Sequence, residues 1–132
     1  MKKSALFLAA LVVVLTAQVG GAIAEDSRTL TGEFVWSQRE NRGDLEVIFT
    51  PTGEDRWDVA FHFTFRGQPH VYSGTAEGSL SEGSLQGTVN NEDKRRTFTF
   101  KGKFEDGKFT GTHAEVGDGQ EQATGTLTLA QG

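Results

Sequence analysis

The sequence predicts an all-β protein: a single antiparallel meander that closes into an eight-stranded up-and-down barrel behind an N-terminal signal peptide. Three observations carry that expectation. From Trp57 to Phe65, Trp57, Val59, Phe61, Phe63 and Phe65 share one face, while Asp58, His62 and Thr64 share the other. This period of two is that of a strand with one buried and one solvated face. No segment after residue 24 shows the 3.6-residue period of an amphipathic helix, and turn formers recur at short intervals. Finally, Gly32, Gly87, Gly102, Gly111 and Gly125 all fall on the parity of large apolar neighbours. Interior glycine weakens a strand, so its repeated use on one face marks a sheet that bends until it closes.

The chain begins with Met1-Lys2-Lys3 and an apolar run from Ala5 to Val14. Ala22-Ile23-Ala24 then offers small residues where a signal peptidase reads them, just before Glu25-Asp26-Ser27. This predicts a secretory signal peptide over residues 1–24, cleaved after Ala24, and a barrel domain over 25–132 in the bacterial periplasm or outside the cell. The apolar stretch is too short for a membrane anchor. With no cysteine, a lipid-modified cysteine and disulfides are both excluded, and the core must carry the stability alone.

Strands are expected at 29–38, 43–50, 56–66, 69–80, 84–90, 95–104, 108–115 and 122–129. In the first, Gly32 shares a face with Phe34 and Trp36. The third is the Trp57 run, and the fourth holds Tyr72. Leu85, Gly87 and Val89 mark the fifth, Phe98 and Phe100 between threonines the sixth. Phe109, Gly111 and His113 share a face of the seventh; Gly125, Leu127 and Leu129 share one of the eighth. Reversals are expected at Asn41-Arg42-Gly43, at Pro51 to Asp55, at Gly67-Gln68-Pro69, at Asn90 to Asp93 and at Asp106-Gly107. Connections this short pair sequential strands antiparallel. Residues 78–88 and 102–112 also share the pattern Gly-x-Φ-x-acid-Gly-x-Φ-x-Gly-Thr, a hairpin duplication that bears on structure rather than function.

This arrangement resembles a small calycin-type barrel, the architecture of avidins and lipocalins. Leu30-Thr31-Gly32-Glu33-Phe34-Val35-Trp36 is similar to the Gly-x-Trp signature that opens the first strand in those families, with Gly and Trp here four positions apart. The resemblance implies a barrel whose interior either is filled by side chains or holds one small ligand. Avidins close tryptophans of later strands over biotin, and no tryptophan follows Trp57 here. The chain also resembles a periplasmic inhibitor of secreted metalloproteases, a barrel whose N-terminal arm plugs the protease cleft; only Glu25 to Arg28 precede the first strand here.

Without residues 1–24 the chain keeps 11 basic and 18 acidic side chains, a net charge of −7. That balance argues against nucleic acid and anionic lipid, which want clustered Lys and Arg. Among the histidines, His62 projects to the wet face, His70 follows the Pro69 turn, and His113 shares the inward parity of Phe109 near a barrel end, where solvation is the ordinary fate. No two of them have metal-ligand spacing on one element, so neither a metal nor a cofactor is expected. There is no nucleophile elbow or phosphate loop, and no acidic residue holds a clear inward position, so no catalytic residue is assigned and no enzyme is expected. Thr97, Thr99, Thr110, Thr112, Thr124, Thr126 and Thr128, joined across closure by Thr29 and Thr31, are expected to form a solvated outer face.

The expected function is therefore that of a non-enzymatic binding barrel, soluble rather than membrane-embedded. Its partner is either a small apolar or aromatic ligand or another protein. The candidate ligand-binding residues are Trp36, Trp57, Phe61, Phe63, Tyr72, Phe98, Phe100 and His113. The same side chains could instead fill the barrel, and so many large rings in eight strands favour that packed interior. In that case the alternative is an interaction or protease-inhibitor module working through the Asn90–Arg96 hairpin and the Arg66–His70 turn. A lipid-facing barrel with the aromatics outward needs strands of about 9–11 residues, longer than the segments at 43–50 and 84–90.

Overall fold

The computed structural model describes residues 26–131 except 38–40, 92 and 94; the expected signal peptide and its cleavage site lie outside the described residues. The strands are β1 (Arg28–Trp36), β2 (Asn41–Gly53), β3 (Arg56–Phe65), β4 (Gln68–Gly78), β5 (Gly83–Asn91), β6 (Thr97–Glu105), β7 (Lys108–Gly117) and β8 (Gln120–Gln131). Each pairs antiparallel with its sequence neighbours, and β1 pairs with β8, so the meander closes into a barrel in the order β1 to β8. The fold is the one the residue pattern predicts.

Three reversals use a pair of residues with positive φ: Arg66-Gly67 (54° and 77°), Asp106-Gly107 (54° and 79°) and Asp118-Gly119 (51° and 75°). Two consecutive left-handed residues give the type I′ hairpin, whose twist matches that of the strands it joins. One expected turn is instead strand, and another starts later than expected. Asn41, Arg42 and Gly43 pair with Trp36, Val35 and Phe34, and Gly43 is where the Phe34 ring lies against bare backbone, 2.8 Å from where a Cβ would stand. Its role is to seat a ring, not to turn the chain. Within the expected Pro51–Asp55 reversal the chain turns at Glu54-Asp55, while Pro51 still continues β2 opposite Trp57, next to a register shift between Pro51 and Gly53, an irregularity that tolerates a residue with no N–H to give.

The inward glycines mark close approach between neighbouring strands. A Cβ on Gly32 would strike the carbonyl oxygen of Thr128, and one on Gly125 that of Val35; both lie in the β1–β8 seam that closes the barrel. Aromatic rings cover others: Phe100 lies over Gly87, and Phe109 over Gly102 and Gly111. Ring over glycine is how a strongly bent sheet is filled without a collision of side chains.

The two ends of the barrel differ. At one, Leu30, Phe49, Leu85, Phe104, Phe109 and Leu129 are each no more than 1% exposed. Leu80, in the loop between β4 and β5, is buried there as well. Trp57 packs edge-on to Phe49 at 6.2 Å and donates its indole N–H to the Gly78 carbonyl (3.0 Å). At the other end Phe34, Trp36, Phe63, Phe65 and Phe98 are only partly buried. No helix among the described residues is long and apolar enough to cross a membrane. Strand length does not separate this barrel from a lipid-facing one, since β2 has 13 residues and β5 has 9. Orientation does, because the aromatics of β3 and β6 point inward.

Candidate functional site

The half-buried rings form a collar at the open end. Phe34 meets Phe63 edge-to-face at 5.2 Å, Phe63 meets Tyr72 at 5.6 Å, Tyr72 meets Phe98 at 5.7 Å, and Phe98 meets Trp36 at 5.7 Å. His113 lies 5.8 Å from Trp36, and His70 stacks on Phe63 at 5.4 Å. Rings prefer such edge and tilted contacts because edges are positive and faces negative. Inside the collar lies a cavity of about 300 Å³, with Leu45, Phe61, Val89, Phe100 and Leu127 also in its lining. The barrel is thus packed at one end and hollow at the other. The packed interior favoured by the residue count holds for only half of it.

Seven of the eight candidate residues line this cavity: Trp36, Phe61, Phe63, Tyr72, Phe98, Phe100 and His113. Trp57 does not, because it lies at the far end of β3 against Phe49. Phe34, Phe65, His70, Arg66 and Arg96 also line it and were not among the candidates. Parity would have found most of them: His70 is in step with Tyr72 and Arg96 with Phe98. The step fails only if alternation is assumed to stop at the turns.

Arg96 is the main charged group at the mouth. Its guanidinium stands 5.7 Å from the Trp36 ring and 5.2 Å from that of Phe98, within cation–π range. Its Nε and Nη2 donate to the two carboxylate oxygens of Glu115, both at 3.0 Å. Glu115 pairs with Phe98 across β6 and β7, which corrects the expectation that no acid holds an inward position. The Arg96 hydrogen bond holds the Glu115 carboxyl below the usual carboxylate range; burial pushes the other way. The same bond raises Arg96 further. Burial pushes the Tyr72 hydroxyl up, and the nearby Arg96 charge pulls it partly back.

His113 is held in place rather than merely solvated, contrary to the ordinary fate expected of it. Its Nε2 donates to the Val35 carbonyl (3.0 Å), and its Nδ1 lies 2.6 Å from the Thr124 hydroxyl. A carbonyl can only accept, so Nε2 carries the proton and Nδ1 of the neutral ring accepts. The Thr124 hydroxyl also lies 3.1 Å from the His113 carbonyl. Burial keeps the His113 pKa below its usual value, and the Val35 bond opposes that. Thr124 reaches this position because the β7–β8 register shifts between His113 and Ala114. The shift turns Thr124 into the protein, so it is buried (4% exposed) and no part of an outer threonine face. On that face Thr99 pairs with Thr88, Thr112 with Thr126, and Thr110 with Thr128.

Among the described residues no cluster of His, Cys, Asp and Glu has the geometry to hold a metal ion. No protein-family model and no curated protein matches the chain.

Proposed function

We propose that this chain is a non-enzymatic, calycin-like binding barrel of the bacterial periplasm or cell exterior, holding a small apolar or aromatic ligand in the cup at its open end. One observation carries the reading: a cavity of about 300 Å³ walled by rings sits at one end of a barrel whose other end is filled. Ligand sites are concave, mostly apolar and aromatic, with a few polar groups, and run from about 300 to 1,000 Å³. Each exposed ring of the collar leaves apolar surface in water, and a bound ring system would cover it. The polar groups of the cup are engaged structurally, Glu115 by Arg96 and His113 by Val35 and Thr124. That arrangement suits holding a molecule better than transforming one. The secretory character rests on the Lys2-Lys3 start, the Ala5–Val14 run and the Ala22-Ile23-Ala24 processing site.

Methyl NMR of the purified protein, titrated with 2-naphthalenemethanol as a neutral aromatic probe, tests this reading. The methyls of Leu45, Val89 and Leu127 should shift saturably, and those of Leu30, Leu85 and Leu129 should stay still. Absence of any saturable shift at the cup would end the proposal.

A further inference from the structure

The charge at the rim says more about the ligand than the rings do. The chain is acidic, with a net charge of −5 and 18 carboxylate side chains. Yet Arg66 and Arg96 line the cup, and the carboxylate beside them, Glu115, is paired with Arg96. Glu115 takes only the Nε–Nη2 edge of the Arg96 fork. Of the five N–H groups of a guanidinium, three lie outside the Glu115 contact, and the Tyr72 hydroxyl stands near enough to share one of them. A planar fork edge is the group that matches a carboxylate with two parallel hydrogen bonds. Trp36 and Phe98, on which the guanidinium lies, and the Glu115 clamp fix its plane before anything binds. Arg66, whose guanidinium lies 5.3 Å from the Phe65 ring, brings a second positive charge to the same cavity.

We propose that the ligand of the cup is a small aromatic carboxylate, its rings held between Phe63 and Phe98 and its carboxylate on the end of the Arg96 fork that Glu115 does not take. The inference rests on the binding reading above and narrows it. A cavity of about 300 Å³ equals roughly ten water volumes of about 30 Å³ each, space for one ring or two fused rings. The Arg96–Glu115 pair acts as a preset clamp: the acid orients the base, and the base meets the ligand.

Calorimetric titration of the purified protein with 2-naphthoate and, separately, 2-naphthalenemethanol tests it, since the two share a ring system and differ in charge. At low ionic strength naphthoate should bind about tenfold tighter or more, as hydrogen bonds to charged groups warrant, and added salt should narrow the gap. Arg96→Gln should bring naphthoate to the level of the alcohol. Arg66→Asn, at an exposed turn, should narrow the gap about two- to threefold; with the salt series it decides the matter if Arg96→Gln fails to fold by circular dichroism. Equal affinity of the two probes for the unaltered protein would overturn the carboxylate and leave the cup standing. If neither binds, the cup and the carboxylate fall together.

Discussion

The two ends of the barrel are built from the same residue types and reach opposite results. At the closed end rings meet glycines and aliphatic side chains as well as one another: Phe109 lies over Gly102 and Gly111 and 5.3 Å from Phe104, with Leu30, Leu85 and Leu129 buried in the same core. Branched aliphatics fit between flat rings, and the interior reaches the density of a packed core. At the open end rings meet mainly other rings, Phe34 to Phe63 and Trp36 to Phe98, with centroids 5.2 and 5.7 Å apart, although Phe34 also lies on Gly43. Rings set edge to face around a circle touch at their rims and leave the centre open. The number of aromatics therefore does not decide whether a small barrel is solid; what stands opposite them does.

Truncation should break this symmetry of composition most sharply. Phe109→Ala should cost about 3–5 kcal/mol, since the ring is fully buried and the sites around it are glycines that cannot collapse inward. Phe63→Ala should cost about 1–1.5 kcal/mol, because part of its surface already meets water. Urea midpoints of the two variants measure the difference, and equal losses would mean that the collar is core after all. The glycine seam gives the next largest effect. Gly125→Ala places a methyl on the Val35 carbonyl and 2.8 Å from His113 Nε2, and should cost about 1–3 kcal/mol through overpacking at the closure of the barrel. Gly117→Ala, with nothing within 4 Å, should stay within about 0.5 kcal/mol of the parent. Thermal melts of the pair separate close approach from a general intolerance of side chains.

Much of this was legible in the residues, for a physical reason: in a closed meander with one dry face, parity along each strand is the fold. Alternation alone placed Trp36, Phe61, Phe63, Tyr72, Phe98, Phe100 and His113 on the face that lines the cup. The failures occur where parity is reset or obscured. Thr124 looks outward by its spacing from Thr126, but the register shift at His113 turns it in, and a bulge has no fixed residue signature. Gly43 looks like a turn former, and only the Phe34 ring above it shows that it serves packing. Trp57 has the right parity and lies at the wrong end, because alternation fixes the face of a residue and not its height in the barrel. The Arg96–Glu115 pair spans a separation of 19 residues, and nothing local announces that the two meet.

Acid should loosen the open end first. The buried His113 has a pKa below its usual 6.5, so between its folded and unfolded values the unfolded chain binds more protons. Stability then rises with pH in that window; it is complete above 6.5 and falls as pH drops through the folded value. Glu115, held below 4.5 by Arg96, adds a second loss at lower pH in the same direction. Both groups belong to the collar end. Amide hydrogen exchange around Val35 and Phe98 should therefore accelerate on acidification before that around Phe104 and Phe109. His113→Gln should flatten the first step and Glu115→Gln the second. Uniform loss of protection at both ends would show that the two halves open as one unit.

The smallest expected effect concerns the turn that carries Arg66. Asp106-Gly107 at the closed end and Arg66-Gly67 at the open end adopt the same pair of positive φ angles. Aspartate and asparagine enter that conformation readily because their short side chains bond the local backbone, and arginine has no such help. Arg66→Asn should consequently stabilise the barrel by a few tenths of a kcal/mol, up to about 1 kcal/mol, read as a rise in the urea midpoint. What Arg66 offers against that cost is the guanidinium it brings to the cup. If Arg66→Asn leaves stability unchanged or lowers it, Arg66 serves the turn itself and its charge at the mouth has no claim to a separate role.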